Sequence, residues 1–220
     1  MSGETPPGSA ADAMDGIYRR QRFVYDAMRR YYLLGRDRLI AELGVPDGGT
    51  VLEIGCGTAR NLLRAAQRYP NACFCGLDVS EAMLKTARGS VARRGYSSRI
   101  TLAAGDATGF DAAALFGVRT FDRIIVSYAL SMIPAWTNVV ENAAACLAPG
   151  GALLIVDFGD FGRYPVLAQR LQRAWLGRFS VVPIADLENR ISLLADQTGC
   201  IATTARLYGG YAVHARIERR

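Results

Sequence analysis

The run VLEIGCGTAR at residues 51–60 holds the residue types best suited to chemistry in this chain: the acid Glu53, then Gly55, Cys56, Gly57 and the small Ala59, with Asn61 just beyond. Glycines at this spacing let a backbone loop approach a ligand closely. Asp78 stands 21 positions after Gly57, where a carboxylate can accept both hydroxyls of a ribose. A further acid, Asp106, precedes Ala107 in a Gly-Asp-Ala triplet, and Val79, Met83 and Ser127 follow the expected ends of neighbouring strands. Together they point to capture of a nucleoside-bearing ligand. A nicotinamide site of the GxGxxG kind requires glycine where Arg60 stands, and it leaves Glu53 without a role.

Other chemistries fit poorly. The five cysteines form no CxxC pair and are joined by one histidine, His214, so neither a zinc centre nor a disulfide framework is expected. Cys56 is expected to face the ligand through its backbone and not to act as a nucleophile.

Strands must end where these residues stand. Apolar runs at residues 51–54, 73–77, 100–102, 121–126 and 152–158 read as strands, alternating with helical stretches at 61–68, 80–93 and 137–147. That alternation predicts a parallel sheet covered on both faces. A helix at 186–197 follows, then CIATTARLY and YAVHARIE joined by Gly209 and Gly210. Two β runs around Gly-Gly predict a hairpin that closes the sheet with an antiparallel strand. Residues 1–13, rich in Gly, Pro, Ser and Ala, are expected to form a mobile tail. Residues 14–44 read as an N-terminal helical segment hinged near Gly35, and 45–220 as the ligand-binding domain.

Composition agrees with that plan. The 220 residues are 50% hydrophobic and 21% charged with a mean hydropathy of +0.10, so a single sizeable core is expected and disorder or coiled coil is not. No apolar run reaches the roughly 18 residues of a membrane-spanning helix, and no secretory signal is apparent. A cytoplasmic location is the expectation.

The E-x-G-x-G-x-small loop, Asp78, the Gly-Asp-Ala triplet and the terminal hairpin together resemble the class I S-adenosylmethionine-dependent methyltransferases over residues 45–217. The resemblance implies a Rossmann-like sandwich with a seven-stranded sheet ordered 3-2-1-4-5-7-6, and S-adenosylmethionine as cofactor. It places Glu53, Gly55, Cys56, Gly57 and Asn61 beside the methionine part, Asp78 and Val79 at the ribose, Met83, Asp106 and Ala107 at the adenine, and Ser127 in the loop after the fourth strand. Ala59 departs from the pattern by replacing a third glycine; a modest packing effect is expected.

The loop after the fourth strand reads Ser127, Tyr128, Ala129, Leu130, Ser131, without the D/N-P-P-Y/F motif used to hold a base amine, so a nucleic-acid acceptor is not expected. The segment MDGIYRRQRFVYDAMRRYYLLGRDRLI resembles the N-methyltransferase of bacterial betaine-lipid synthesis, which trimethylates diacylglyceryl-homoserine; bacterial phosphatidylethanolamine N-methyltransferases are the nearest alternative, and a small-molecule amine methyltransferase or a non-catalytic cofactor-binding scaffold are others. The resemblance implies Tyr18 and Tyr25 at the cofactor, with Tyr25 of the Tyr25-Asp26 pair capping its carboxylate. Tyr18, Tyr25, Tyr31, Tyr32 and Tyr128 are candidates to hold a cationic headgroup by cation–π attraction. Arg36 is a candidate for its carboxylate or a lipid phosphate. Positions 19, 20, 22, 29, 30, 36 and 38 are arginine against Asp26 and Asp37, a balance of +5 within a chain of +6. A basic segment with aromatic residues interleaved suits an anionic membrane surface, so peripheral attachment to the inner face of the cytoplasmic membrane is expected. The upstream diacylglyceryl-homoserine synthase is a further expected partner. Residues 163–179 form a second such stretch, with four arginines among Tyr164, Leu167, Leu171, Trp175 and Leu176.

Overall fold

The computed structural model describes residues 33–219. Tyr18, Tyr25, Tyr31, Tyr32 and the arginines at 19, 20, 22, 29 and 30 lie outside the described residues, as does the tail at 1–13. Strands β1 (Thr50–Ile54), β2 (Cys73–Asp78), β3 (Ile100–Ala104), β4 (Phe121–Ser127), β5 (Leu147–Phe158), β6 (Cys200–Leu207) and β7 (Ala212–Arg219) form one sheet in the order 3-2-1-4-5-7-6. β1 to β5 run parallel, and β7 pairs antiparallel with both β5 and β6. The helices are α1 (Arg36–Ala41), α2 (Arg60–Arg68), α3 (Glu81–Arg93), α4 (Ala112–Phe116), α5 (Trp136–Ala145), α6 (Val166–Gly177) and α7 (Leu187–Gln197).

Continuous apolar runs form these strands because both faces of the sheet are covered. Along β5, Ala152, Leu154 and Val156 enter one core with Leu39, Leu62 and Leu84, while Leu153 and Ile155 enter the other with Val139 and Ile191. Each fully buried Leu or Ile contributes about 1.5–3 kcal/mol relative to exposure.

Two details differ from the sequence reading. The helix expected at 137–147 ends at Ala145, because Leu147 pairs with Phe121 and opens β5 ahead of an irregularity at Gly150 and Gly151. The short α4 went unread from periodicity; the Asp111 side chain caps it by accepting the Ala113 and Ala114 amides. Gly35 has φ of 87° and caps α1; the helix expected before it lies outside the described residues.

Candidate functional site

The site lies at the carboxyl ends of β1, β2 and β4, where the sheet order reverses between β1 and β4 and leaves a crevice. The loop from β1 to α2 folds back on β2: the Gly55 and Cys56 amides both donate to the Leu77 carbonyl, at 2.8 and 3.0 Å. Gly55 and Gly57 have φ of 71° and 54°, and a Cβ on Gly55 would stand 2.8 Å from that of Ala129. Only glycine therefore fits at 55. Ala59 is also left-handed, with φ of 63°. The effect of replacing glycine there is thus conformational, about 1–2 kcal/mol for an L-residue, and not the packing effect expected from size.

Asp78 ties the loop to the second strand. One carboxylate oxygen accepts the Gly57 amide at 2.7 Å and the other the Ser80 amide at 2.9 Å. Beside it a cavity of about 310 Å³ is lined by Leu77, Val79, Met83, Ala107, Ala129 and Ile133, with Asp78 and Asp106 at polar points. An apolar slot with a few polar groups suits a purine and its ribose. Met83 is fully buried against Met132 and Phe179, so it forms wall. Asp106 uses one oxygen to accept the Thr108 amide and hydroxyl, which fixes the turn that presents Ala107.

On the other side of Gly55 and Gly57 lies a second cavity of about 540 Å³. Glu53 and Ser127 line its floor; Glu53 accepts from Asn61 Nδ2 at 2.7 Å, and the buried Ser127 hydroxyl has no hydrogen-bond partner among the described residues. Arg36, Arg60, Arg64, Arg93 and Arg94 line its walls. Arg36 is 8% exposed and its Nε donates to the Leu33 carbonyl, so it belongs to the cavity wall and not to the open surface. Arg60 pairs with Asp37 at 2.9 Å and donates to Asn61 Oδ1, which links α1 through Asn61 to Glu53.

Two expectations need correction or refinement. Tyr128, a candidate for the headgroup, lines the smaller cavity; it is buried, packs edge-on to Phe158 at 4.6 Å and donates its hydroxyl to the Leu34 carbonyl. Burial pushes its phenol well up. Tyr128 is a clamp between the β4 loop and the chain entering α1. Cys56 is buried, and burial, followed by the Asp78 and Glu53 carboxylates, holds its thiol well above the ordinary range. It is no nucleophile at neutral pH.

Sequence reasoning passed over Ala129, Met132 and Ile133, and the arginines of α2 and α3. The first group was accessible from position alone, since it directly follows a strand end at the crevice. The arginines carried no local signal. Among the described residues no cluster of His, Cys, Asp and Glu could hold a metal.

Residues 51–151 match the family model described as "Methyltransferase domain". The demethylmenaquinone methyltransferase of Symbiobacterium thermophilum is 30% identical over 139 residues, covering 60% of this chain and 54% of that protein. That of Desulfitobacterium hafniense is 28% identical over 190 residues, covering 84% and 70%. A SAM-dependent methyltransferase from Aquifex aeolicus superposes with a TM-score of 0.64 at 17% identity, over 87% of this chain and 93% of that one, and shows the shared fold. The chain thus has the fold of class I S-adenosylmethionine-dependent methyltransferases, and its residues 51–151 match a methyltransferase domain. Its cofactor is S-adenosylmethionine, and the residues present fit it: the cradle at Gly55 that a Cβ would fill, the Asp78 carboxylate, the apolar slot and the unpartnered Ser127 hydroxyl all lie along the crevice.

Proposed function

We propose that this protein transfers methyl groups to the amine of a carboxylate-bearing lipid headgroup, converting diacylglyceryl-homoserine to diacylglyceryl-trimethylhomoserine. The observation that carries the reading is the cavity beside Glu53 and Ser127 with five arginines in its walls. Arginine suits bidentate recognition of a carboxylate. The resemblance of the segment ending in YYLLGRDRLI supports the same acceptor, with the anionic inner leaflet as its source and the upstream synthase as supplier.

When bound, S-adenosylmethionine supplies the methyl group from a sulfonium. The chain's own residues then have three tasks. Asp78, Gly55 and Gly57 orient the donor, so that proximity does most of the work. The arginines hold the headgroup carboxylate, and their positive field lowers the pKa of the neighbouring amine, which favours the neutral form that can attack. The clamp of Tyr128 on Leu34 and its packing on Phe158 fix the wall of the crevice on that side.

The relatives named for demethylmenaquinone favour a second reading, C-methylation of a quinol. Attack by a ring carbon is assisted by ionisation of its hydroxyl, for which a base is expected. Among the described residues Glu53 is the one carboxylate lining the larger cavity, and it is bonded to Asn61; His214 lies on β7, 3.6 Å from Glu42, and lines neither cavity. Purified protein incubated with S-adenosylmethionine and micelles of diacylglyceryl-homoserine, phosphatidylethanolamine or a demethylmenaquinol separates the readings by mass spectrometry. The expected product is the trimethylated homoserine lipid. Turnover of the quinol alone overturns the proposal, and cofactor binding without turnover of any acceptor favours a scaffold.

A further inference from the structure

Helix α6 turns its apolar side outward. Val166, Leu167 and Leu171 are 65, 69 and 64% exposed, and Val182 just beyond the helix is 71% exposed. The side toward the protein is seated through Leu176 and Trp175, which pack against the core, and through Gln172, which hydrogen-bonds the Tyr211 phenol. Leu176 is the one helix residue fully buried. The helix therefore anchors only its C-terminal end and leaves Val166, Leu167 and Leu171 outside, where an ordinary amphipathic surface helix turns its leucines into the core. Arg163, Arg170, Arg173 and Arg178 are also exposed, and residues 162–185 contain no Asp or Glu.

Charge decides what can cover such a face. A second copy would bring four more arginines against these four. The chain's own residues 17–38 carry a balance of +5 and are equally unsuited. An anionic surface that accepts aliphatic tips is complementary. Leucines that dip into an acyl boundary while arginine stems reach back to headgroups are the physical pattern of an interfacial helix.

The position of the helix joins this face to the catalytic crevice. Beyond its end, Phe179 packs against Met83 and Met132 in the wall of the nucleoside slot, and the Val182 amide donates to the Ser131 carbonyl at 2.8 Å. We infer that α6 and the loop to Val182 dock on an anionic lipid leaflet, which brings the crevice to the surface where its acceptor lies. The choice of a leaflet rests on the lipid acceptor proposed above.

The test is co-sedimentation of the full chain with vesicles of phosphatidylglycerol and phosphatidylcholine. The Leu167→Glu, Leu171→Glu double variant should lose at least tenfold in partition, with circular dichroism and cofactor affinity unchanged because both positions are exposed. Hydrogen exchange on the unmodified chain should slow across residues 163–179 when these vesicles are added. Partition of the variant equal to the wild type, or unchanged exchange in that stretch, overturns the inference. A concentration-dependent dimer that the two substitutions dissociate, with partition intact, also overturns it. Methylation of micellar diacylglyceryl-homoserine reports separately on the acceptor. The docking surface stands if the variant loses vesicles yet retains that activity, and partition that is wild-type in the variant sinks it even where the lipid is methylated.

Discussion

The Gly57 amide donates to Asp78 Oδ2 at 2.7 Å, joining the glycine loop to the acid at the end of the next strand. One carboxylate thus shapes the loop and lines the crevice.

Asp78→Ala should therefore weaken S-adenosylmethionine binding by about tenfold to hundredfold, since hydrogen bonds to a charged group contribute about 1.5–3 kcal/mol. Stability should fall as well, because the Gly57 and Ser80 amides lose their acceptor. Isothermal calorimetry with wild-type affinity in the variant would remove Asp78 from the cofactor site.

Gly55→Val should abolish cofactor binding and destabilise the fold by about 2 kcal/mol or more, from a disfavoured left-handed backbone and from overpacking. Its Cβ would meet that of Ala129 at 2.8 Å. Gly48, also left-handed but with open space around it, serves as a control: Gly48→Ala should lower stability alone, as read by thermal melts beside calorimetry.

Arg93 and Arg94 sit at the end of α3 on the cavity wall and are exposed, so they can be changed without harm to the core. Changing both to Gln should raise the acceptor KM several-fold and leave the cofactor Kd unaltered. The pH at which the rate is half-maximal should also move upward, because loss of two cations lets the acceptor amine hold its proton more tightly. Unchanged acceptor kinetics would place the headgroup elsewhere.

Asp157, fully buried at the end of β5, accepts the Ser131 and Phe158 amides at 3.2 and 2.8 Å. Burial raises its pKa from 3.8 to about 6, with hydrogen bonds offsetting part of that cost. A raised carboxyl means that the folded state binds the extra proton, so this group's contribution to stability is full below about pH 4 and lost as pH climbs through about 6. The contribution is on the order of 3 kcal/mol. Melting curves of Asp157→Asn should gain on the wild type as pH rises from 4 to 6 and run parallel to it above 7. A constant difference across that range would show that Asp157 does not titrate there.

Much of this was written locally. Short apolar runs fixed the strands because both faces of the sheet are buried, and Gly55, Gly57 and Asp78 were legible because a close backbone approach and a ribose acid each demand one residue type at one spacing. Gly-Gly at 209 and 210 likewise marked the hairpin between β6 and β7. These signals act between near neighbours in the chain. The tertiary structure alone decided that Tyr128 clamps Leu34, that Asp157 reaches Ser131 across 26 positions, and that arginines from α1, α2 and α3 share one cavity. It also turned Leu167 and Leu171 outward, although their spacing matches an ordinary core-facing stripe. Periodicity states that a helix has an apolar side; what that side meets is set by packing among elements far apart in sequence.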